Sequence, residues 1–122
     1  MGFVDLHAHV LPALDDGSPD LATSLGMLKS LAAVGYERIT ATPHQKAAQF
    51  LPTREQIDVA HAETKNALAE AGVKLELGLA AENYWDDVFY SRWSDGSFPR
   101  YDGGKAFLFE IRPEDAPPRF QL

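Results

Sequence analysis

Gly2-Phe3-Val4-Asp5-Leu6-His7-Ala8-His9 opens the chain, and Asp15-Asp16-Gly17 follows within one loop. Gly2 to Leu6 is short and apolar with β-favouring Phe3 and Val4, the pattern of a buried first strand that runs directly into two histidines. Alternate residues at a strand end, followed by a loop or twist, let both imidazoles converge on one cation as neutral nitrogen donors. A His-x-His pair alone fits two surface histidines equally well. Asp16 on the next loop, and His44 beyond the next strand, shift the reading toward a metal site.

Outward from this stretch the chain alternates strand and helix. Residues 10–17 read as a loop punctuated by Pro12 and Gly17. Ser18 is placed as N-cap with Pro19 at the first helical position, and Leu21, Leu25, Leu28 and Leu31 follow at helical spacing up to Gly35. Arg38 to Thr42 reads as a second strand, ended by Pro43 and delivering His44 just beyond it. Thr53-Arg54-Glu55-Gln56 makes a capping box, and Ile57, Ala60, Thr64, Ala67, Leu68 and Ala71 give the inner face of a second helix before Gly72. Val73 to Leu79 is a third strand delivering Glu82. After a less regular stretch with Trp85 and Trp93 and the turn Asp102-Gly103-Gly104, residues 105–111 read as a fourth strand carrying Glu110, and 112–118 as a Pro-rich exit.

This order implies an α/β fold with parallel strands and crossover helices. In such folds active sites lie at the carboxyl ends of the strands. His7, His9, His44, Glu82 and Glu110 all fall at or just after strand ends. An acidic group beside the histidines can bridge two cations, an arrangement that stabilises both entering and leaving oxygens in phosphoryl transfer. A surface glutamate is the plain alternative for Glu82 in a chain with 18 acidic residues. For Glu110 that alternative is weaker, because it interrupts the apolar run 106–111 and a carboxylate in a buried strand needs a partner or a metal.

Other polar and aromatic residues read differently. Asp5 is a candidate acceptor orienting a ligand histidine, and Asp15 a residue that caps or turns the loop; neither is counted among the ligands. His61 sits mid-helix and reads as solvated or packed. Tyr84, Trp85, Phe89 and Trp93 read as packing residues before they read as the wall of a substrate pocket.

Composition narrows the chemistry. The 122 residues are 45% hydrophobic and 24% charged, as in an ordinary globular domain, yet short for an α/β barrel of roughly 200 or more residues. Cysteine is absent, so any metal must sit on His, Asp or Glu. A net charge of -7 opposes a nucleic-acid surface. No apolar run reaches the roughly 18 residues that span a bilayer, and the amino terminus lacks the pattern of a signal peptide, so the expectation is a cytoplasmic protein with neither membrane nor nucleic-acid partner.

The run Asp5-Leu6-His7-Ala8-His9-Val10-Leu11-Pro12-Ala13-Leu14-Asp15-Asp16-Gly17, with Ile39-Thr40-Ala41-Thr42-Pro43-His44 downstream, closely resembles the polymerase and histidinol phosphatase (PHP) superfamily. Within it, His-Val-Leu-Pro, Asp-Asp-Gly and Ala-Thr-Pro-His resemble the bacterial protein-tyrosine phosphatases that control capsular and exopolysaccharide synthesis. The resemblance extends through Ala81-Glu82 and Leu108-Phe109-Glu110. It implies a distorted (β/α)7 barrel with a trinuclear site of manganese, iron, zinc or magnesium. It also implies metal ligands at His7, His9, Asp16, His44, Glu82 and Glu110, with Glu82 as bridge, and hydrolysis of a phosphotyrosine ester by metal-bound hydroxide, without a cysteine nucleophile. The implied partner is a phosphotyrosine protein, a bacterial tyrosine kinase among the candidates.

Two departures from the family pattern matter. Many relatives have a second histidine after Ala-Thr-Pro-His, where this chain has Gln45. Relatives also continue with a His-Pro-Glu-Arg motif and a later Asp-x-His motif that complete the metal shell. The expectation is therefore a single partial PHP domain over residues 1–122, either an amino-terminal fragment lacking its carboxyl-terminal half or a half-barrel completed by another copy. The competing functions are a small-molecule phosphomonoesterase of the histidinol-phosphatase kind and a catalytically inactive metal-binding or regulatory half-domain.

Overall fold

Strands joined by helix-length connections pair in parallel, because a short turn cannot return the chain to the same end. The computed structural model describes residues 1–112 and Glu114. Its elements are β1 (Phe3–Ala8), α1 (Leu21–Ala33), β2 (Tyr36–Ala41), β3 (His44–Gln45), α2 (Arg54–Glu70), β4 (Glu76–Leu79), β5 (Glu82–Tyr84), α3 (Asp87–Asp95) and β6 (Leu108–Glu110). They form two three-stranded sheets, β1-β2-β4 and β3-β5-β6, and every strand-to-strand ladder is parallel. The expected α/β class with parallel strands is observed. The Pro-rich exit at 112–118 lies outside the described residues apart from Arg112 and Glu114.

The two sheets continue one wall across a break. Pro43 has no N–H to donate to a ladder, so β2 stops at Ala41 and the chain resumes as β3 at His44. Backbone bonds bridge the gap: Thr42 N donates to Ala8 O at 2.9 Å, Ala80 N to Ala41 O at 2.9 Å and Glu82 N to Pro43 O at 3.0 Å. The sequence places His44 and Glu82 beyond strand ends. Both instead begin the resumed strands β3 and β5, where they are register partners.

α1 and α2 cover one face of this wall. Leu28 of α1, Ile57, Ala60 and Leu68 of α2, and Ile39, Ala41 and Leu77 of β2 and β4 form the buried core, joined by Val10 and Leu11. α1 packs over β2 and α2 over β4. β1 departs from its reading as a buried strand: Phe3, Val4 and Leu6 are 64%, 55% and 56% exposed. Among the described residues β1 has a strand neighbour on one side only, and the helical layer lies over β2 and β4 rather than over it.

Capping corrects several boundaries. α2 begins at the expected box, with Thr53 Oγ1 accepting from Gln56 N and Gln56 Oε1 from Thr53 N. α1 is capped by Asp20, whose carboxylate accepts from Thr23 N at 2.7 Å, instead of by Ser18. The Ser18 hydroxyl is buried and already bonded to Asp20 O and Ser24 Oγ. β4 starts at Glu76 and not at Val73, because Val73 N is spent on Leu68 O at the exit of α2. β6 shrinks to 108–110, since Ala106 O accepts from Tyr101 N in the preceding turn. The stretch read as irregular contains α3, capped by the Asp86 carboxylate on Phe89 N and closed by Gly96 at φ 77°.

Candidate metal centre

Six chemistry-bearing residues come from five segments of the wall's upper rim. His7 lies near the end of β1 and His9 just past it, Asp16 sits in the following loop, His44 and Glu82 open β3 and β5, and Glu110 ends β6. In a strand, residues two apart share a face. Glu110 is the register partner of Tyr84, two residues beyond Glu82, and so joins the face that Glu82 occupies.

The side chains converge. Oε2 of Glu82 lies 2.9 Å from His9 Nε2, 3.2 Å from His7 Nε2 and 3.3 Å from His44 Nδ1. His7 Nε2 and His9 Nε2 are 3.2 Å apart. His44 Nε2 lies 3.3 Å from Asp16 Oδ1, and the His9 and His44 rings stack at 4.4 Å. The donor atoms of His7, His9 and Glu82, of His9, Asp16 and His44, and of His44, Glu82 and Glu110 each lie within 4.8 Å of one another. All six residues expected to bind metal are therefore brought together, in three overlapping groups.

The donor set fits divalent cations. One carboxylate oxygen faces three histidine nitrogens, a mixture of carboxylate and imidazole donors that several divalent cations accept. His44 Nδ1 and Glu110 Oε2 are buried without a hydrogen-bond partner, although His44 Nδ1 is in ion-pair range of Glu82. Buried polar atoms are nearly always satisfied, so these two atoms suit a site that takes a cation. The rim is graded in exposure: the Glu82 side chain is 11% exposed, those of His7 and Asp16 47% and 63%.

The neighbours divide into distinct tasks. Asp5 does not hold a histidine ring as expected; its Oδ1 accepts the His7 backbone N–H at 3.0 Å. Asp15 turns the loop by accepting from Gly17 N at 3.0 Å, and its Oδ2 also meets His9 Nδ1 and His44 N, each at 2.9 Å. Burial pushes the Asp15 carboxyl up, but the donors from His44, His9 and Gly17 outweigh it and hold it below its usual range. His61 packs with Nε2 2.9 Å from Leu77 O.

Gln45 is buried. Its amide donates to His44 O and Pro52 O, and its Oε1 accepts from Arg92 of α3 at 2.7 Å. Trp85 and Phe89 pack as expected, within an aromatic cluster that includes Trp93, Phe98, Phe107 and Phe109. Tyr101 was not singled out by the sequence: its hydroxyl reaches across to donate to Leu6 O at 2.8 Å. No motif marks it, since the two partners lie 95 residues apart in sequence.

Comparison with known proteins adds three findings. The family model of CpsB/CapC, capsular polysaccharide synthesis, matches residues 3–120. The tyrosine-protein phosphatase YwqE of Bacillus subtilis (strain 168) is 46% identical over 41 residues, which is 34% of this chain and 16% of that protein. A chain from the crystal structures of YwqE from Bacillus subtilis and CpsB from Streptococcus pneumoniae, metal-dependent tyrosine phosphatases, superposes with a TM-score of 0.80 at 24% identity. That superposition covers 90% of this chain and 44% of the other, so the chain spans less than half the length of the relatives it matches.

Proposed function

Because the chain belongs to the CpsB/CapC family of capsular polysaccharide synthesis, we propose that it carries the metal-binding part of a protein-tyrosine phosphatase acting in capsular or exopolysaccharide synthesis. In this reading the parallel wall is the amino-terminal part of a distorted (β/α)7 PHP barrel, and residues 1–122 are one partial domain. The observation that carries the proposal is the approach of a single Glu82 oxygen to three histidine nitrogens, beside a buried, unpartnered Glu110 Oε2.

His7, His9, Asp16, His44, Glu82 and Glu110 would hold up to three divalent ions, with Glu82 as the shared ligand. Manganese, iron, zinc and magnesium all suit a histidine and carboxylate set. Such ions supply phosphate charge neutralisation and an acidified water at neutral pH. The chain's own residues fix where this chemistry occurs. Glu82, Glu110 and His44 form the floor, while His7 and Asp16 stand at an open edge that an ester on a protein side chain can reach. The proposed partner is a phosphotyrosine protein, a bacterial tyrosine kinase being the candidate. A further segment or a second copy would extend the wall from β1 and β6, which each have a single strand neighbour among the described residues. A cytoplasmic location accords with the lack, among the described residues, of any helix long and apolar enough to cross a membrane.

Metal analysis and phosphate release test the proposal together. The manganese-loaded chain should release phosphate from a phosphotyrosine peptide, and His9→Ala should abolish both uptake and release. Hydrolysis of histidinol phosphate without hydrolysis of the peptide would transfer the site to small phosphomonoesters. Stoichiometric metal with hydrolysis of neither would leave a binding domain.

A further inference from the structure

We infer that Asp15 is a positioning residue, which presents His9 Nε2 to a metal and fixes His44 at the same time. This deepens the metal-site reading and rests on it. Asp15 stands outside the three donor groups, and its side chain is only 2% exposed. Its Oδ2 lies 2.9 Å from His9 Nδ1 and 2.9 Å from His44 N, and its Oδ1 3.0 Å from Gly17 N. An ionised carboxylate only accepts hydrogen bonds, so His9 must turn an Nδ1–H toward it. The ring then offers its lone pair at Nε2, the atom that faces Glu82 Oε2 at 2.9 Å.

The second bond on the same oxygen gives the clasp its reach. His44 N belongs to the opening of β3, 29 residues away in sequence, so one carboxylate ties the loop after β1 to the next ligand-bearing strand. Asp16 faces the other way, 63% exposed and beside His44 Nε2. Gly17 lets the loop fold under His9: a Cβ there would come within 2.3 Å of His9 O and 2.5 Å of His9 Cβ. Ala13 N to Ser18 O at 2.9 Å and Ser18 N to His9 O at 3.1 Å close the loop around the clasp, with Ala13 itself at φ 58°. Asp15, Asp16 and Gly17 thus divide three tasks: orientation, ligation and close approach. His7 lacks the equivalent, since Asp5 binds its backbone and leaves the ring 47% exposed.

Zinc titration of the wild-type chain and of Asp15→Asn, with thermal unfolding of both apo proteins, tests the inference. Loss of a carboxylate that orients a ligand histidine weakens metal binding roughly 10- to 100-fold, and that loss is expected here with the apo protein still folded. Asp5→Asn should change affinity much less. Equal zinc affinity in wild type and folded Asp15→Asn would overturn the inference while leaving the metal site intact. A wild-type chain that takes up no zinc would overturn the functional reading itself. Should Asp15→Asn not fold, nitrogen NMR of the zinc-loaded wild type decides: His9 must be protonated at Nδ1 and bound at Nε2, and zinc at Nδ1 would refute the role.

Discussion

Two regions are cut from the same strands and built on opposite principles. Below the breaks at Thr42-Pro43 and Ala80-Ala81, the wall packs an apolar core, with Leu28 and Ile39 fully buried and Ala41, Ile57 and Leu77 beside them. Above the breaks, the rim buries polar groups, and His44 Nδ1, Asn83 Oδ1 and Glu110 Oε2 have no hydrogen-bond partner. The wall draws its free energy from area removed from water, which needs no ligand. The rim holds carboxylates and imidazoles together at the cost of unsatisfied polarity, a cost that a bound cation offsets. The Pro43 break is what allows one strand to serve both ends.

Deleting core volume should produce the largest effect and confine it to the wall. Leu28→Ala removes a fully buried side chain between α1 and the sheet, and should destabilise the fold by about 2–5 kcal/mol, read by urea denaturation. Metal affinity of the folded fraction should stay within a few-fold of wild type. A Leu28→Ala protein that is stable but loses metal would erase the division between wall and rim.

Metal addition should act next, and through the rim alone. A ligand that binds only the folded state at 100 times its dissociation constant adds about 2.7 kcal/mol of stability. Zinc or manganese should therefore raise the melting temperature of the wild-type chain, and a chelator should reverse the shift. His44→Ala should abolish the metal-dependent rise. An equal rise in wild type and His44→Ala would assign the stabilisation to other sites.

Local chemistry made much of this legible in the sequence. The Thr53 capping box, the Leu25, Leu28 and Leu31 spacing and the Pro43 stop each depend on near neighbours, and each appears in the structure. Reading His44, Glu82 and Glu110 as products of strand ends brought them to the correct end of the wall, because parallel strands share a polarity. What stayed hidden depends on residues distant in sequence. α3 was masked because its aromatic residues pack in a cluster instead of along a simple apolar stripe, although Asp86 and Gly96 mark its ends. β1 read as buried because Phe3, Val4 and Leu6 are apolar, whereas burial depends on what packs against them. Asp15 looked like a turn residue because its bond to Gly17 is local, and its bond to His44 is not.

Tyr101 gives the smallest and finest test, because it is bonded to β1 and lies in the field of the rim. Its hydroxyl donates to Leu6 O of β1, and burial, followed by the Asp5 and Glu82 carboxylates, raises its pKa. A raised value means the folded state favours the neutral phenol. The resulting stability is present below the ordinary tyrosine value of about 10 and is lost as pH rises through the higher folded value. The difference between the ultraviolet titrations of wild type and Tyr101→Phe should isolate this group above its normal range. A divalent ion at Glu82 would cancel part of the negative field, so metal should move the Tyr101 titration back toward 10. A titration that metal leaves unchanged would mean that the Glu82 charge does not reach this phenol, and that burial together with the Asp5 carboxylate sets its titration.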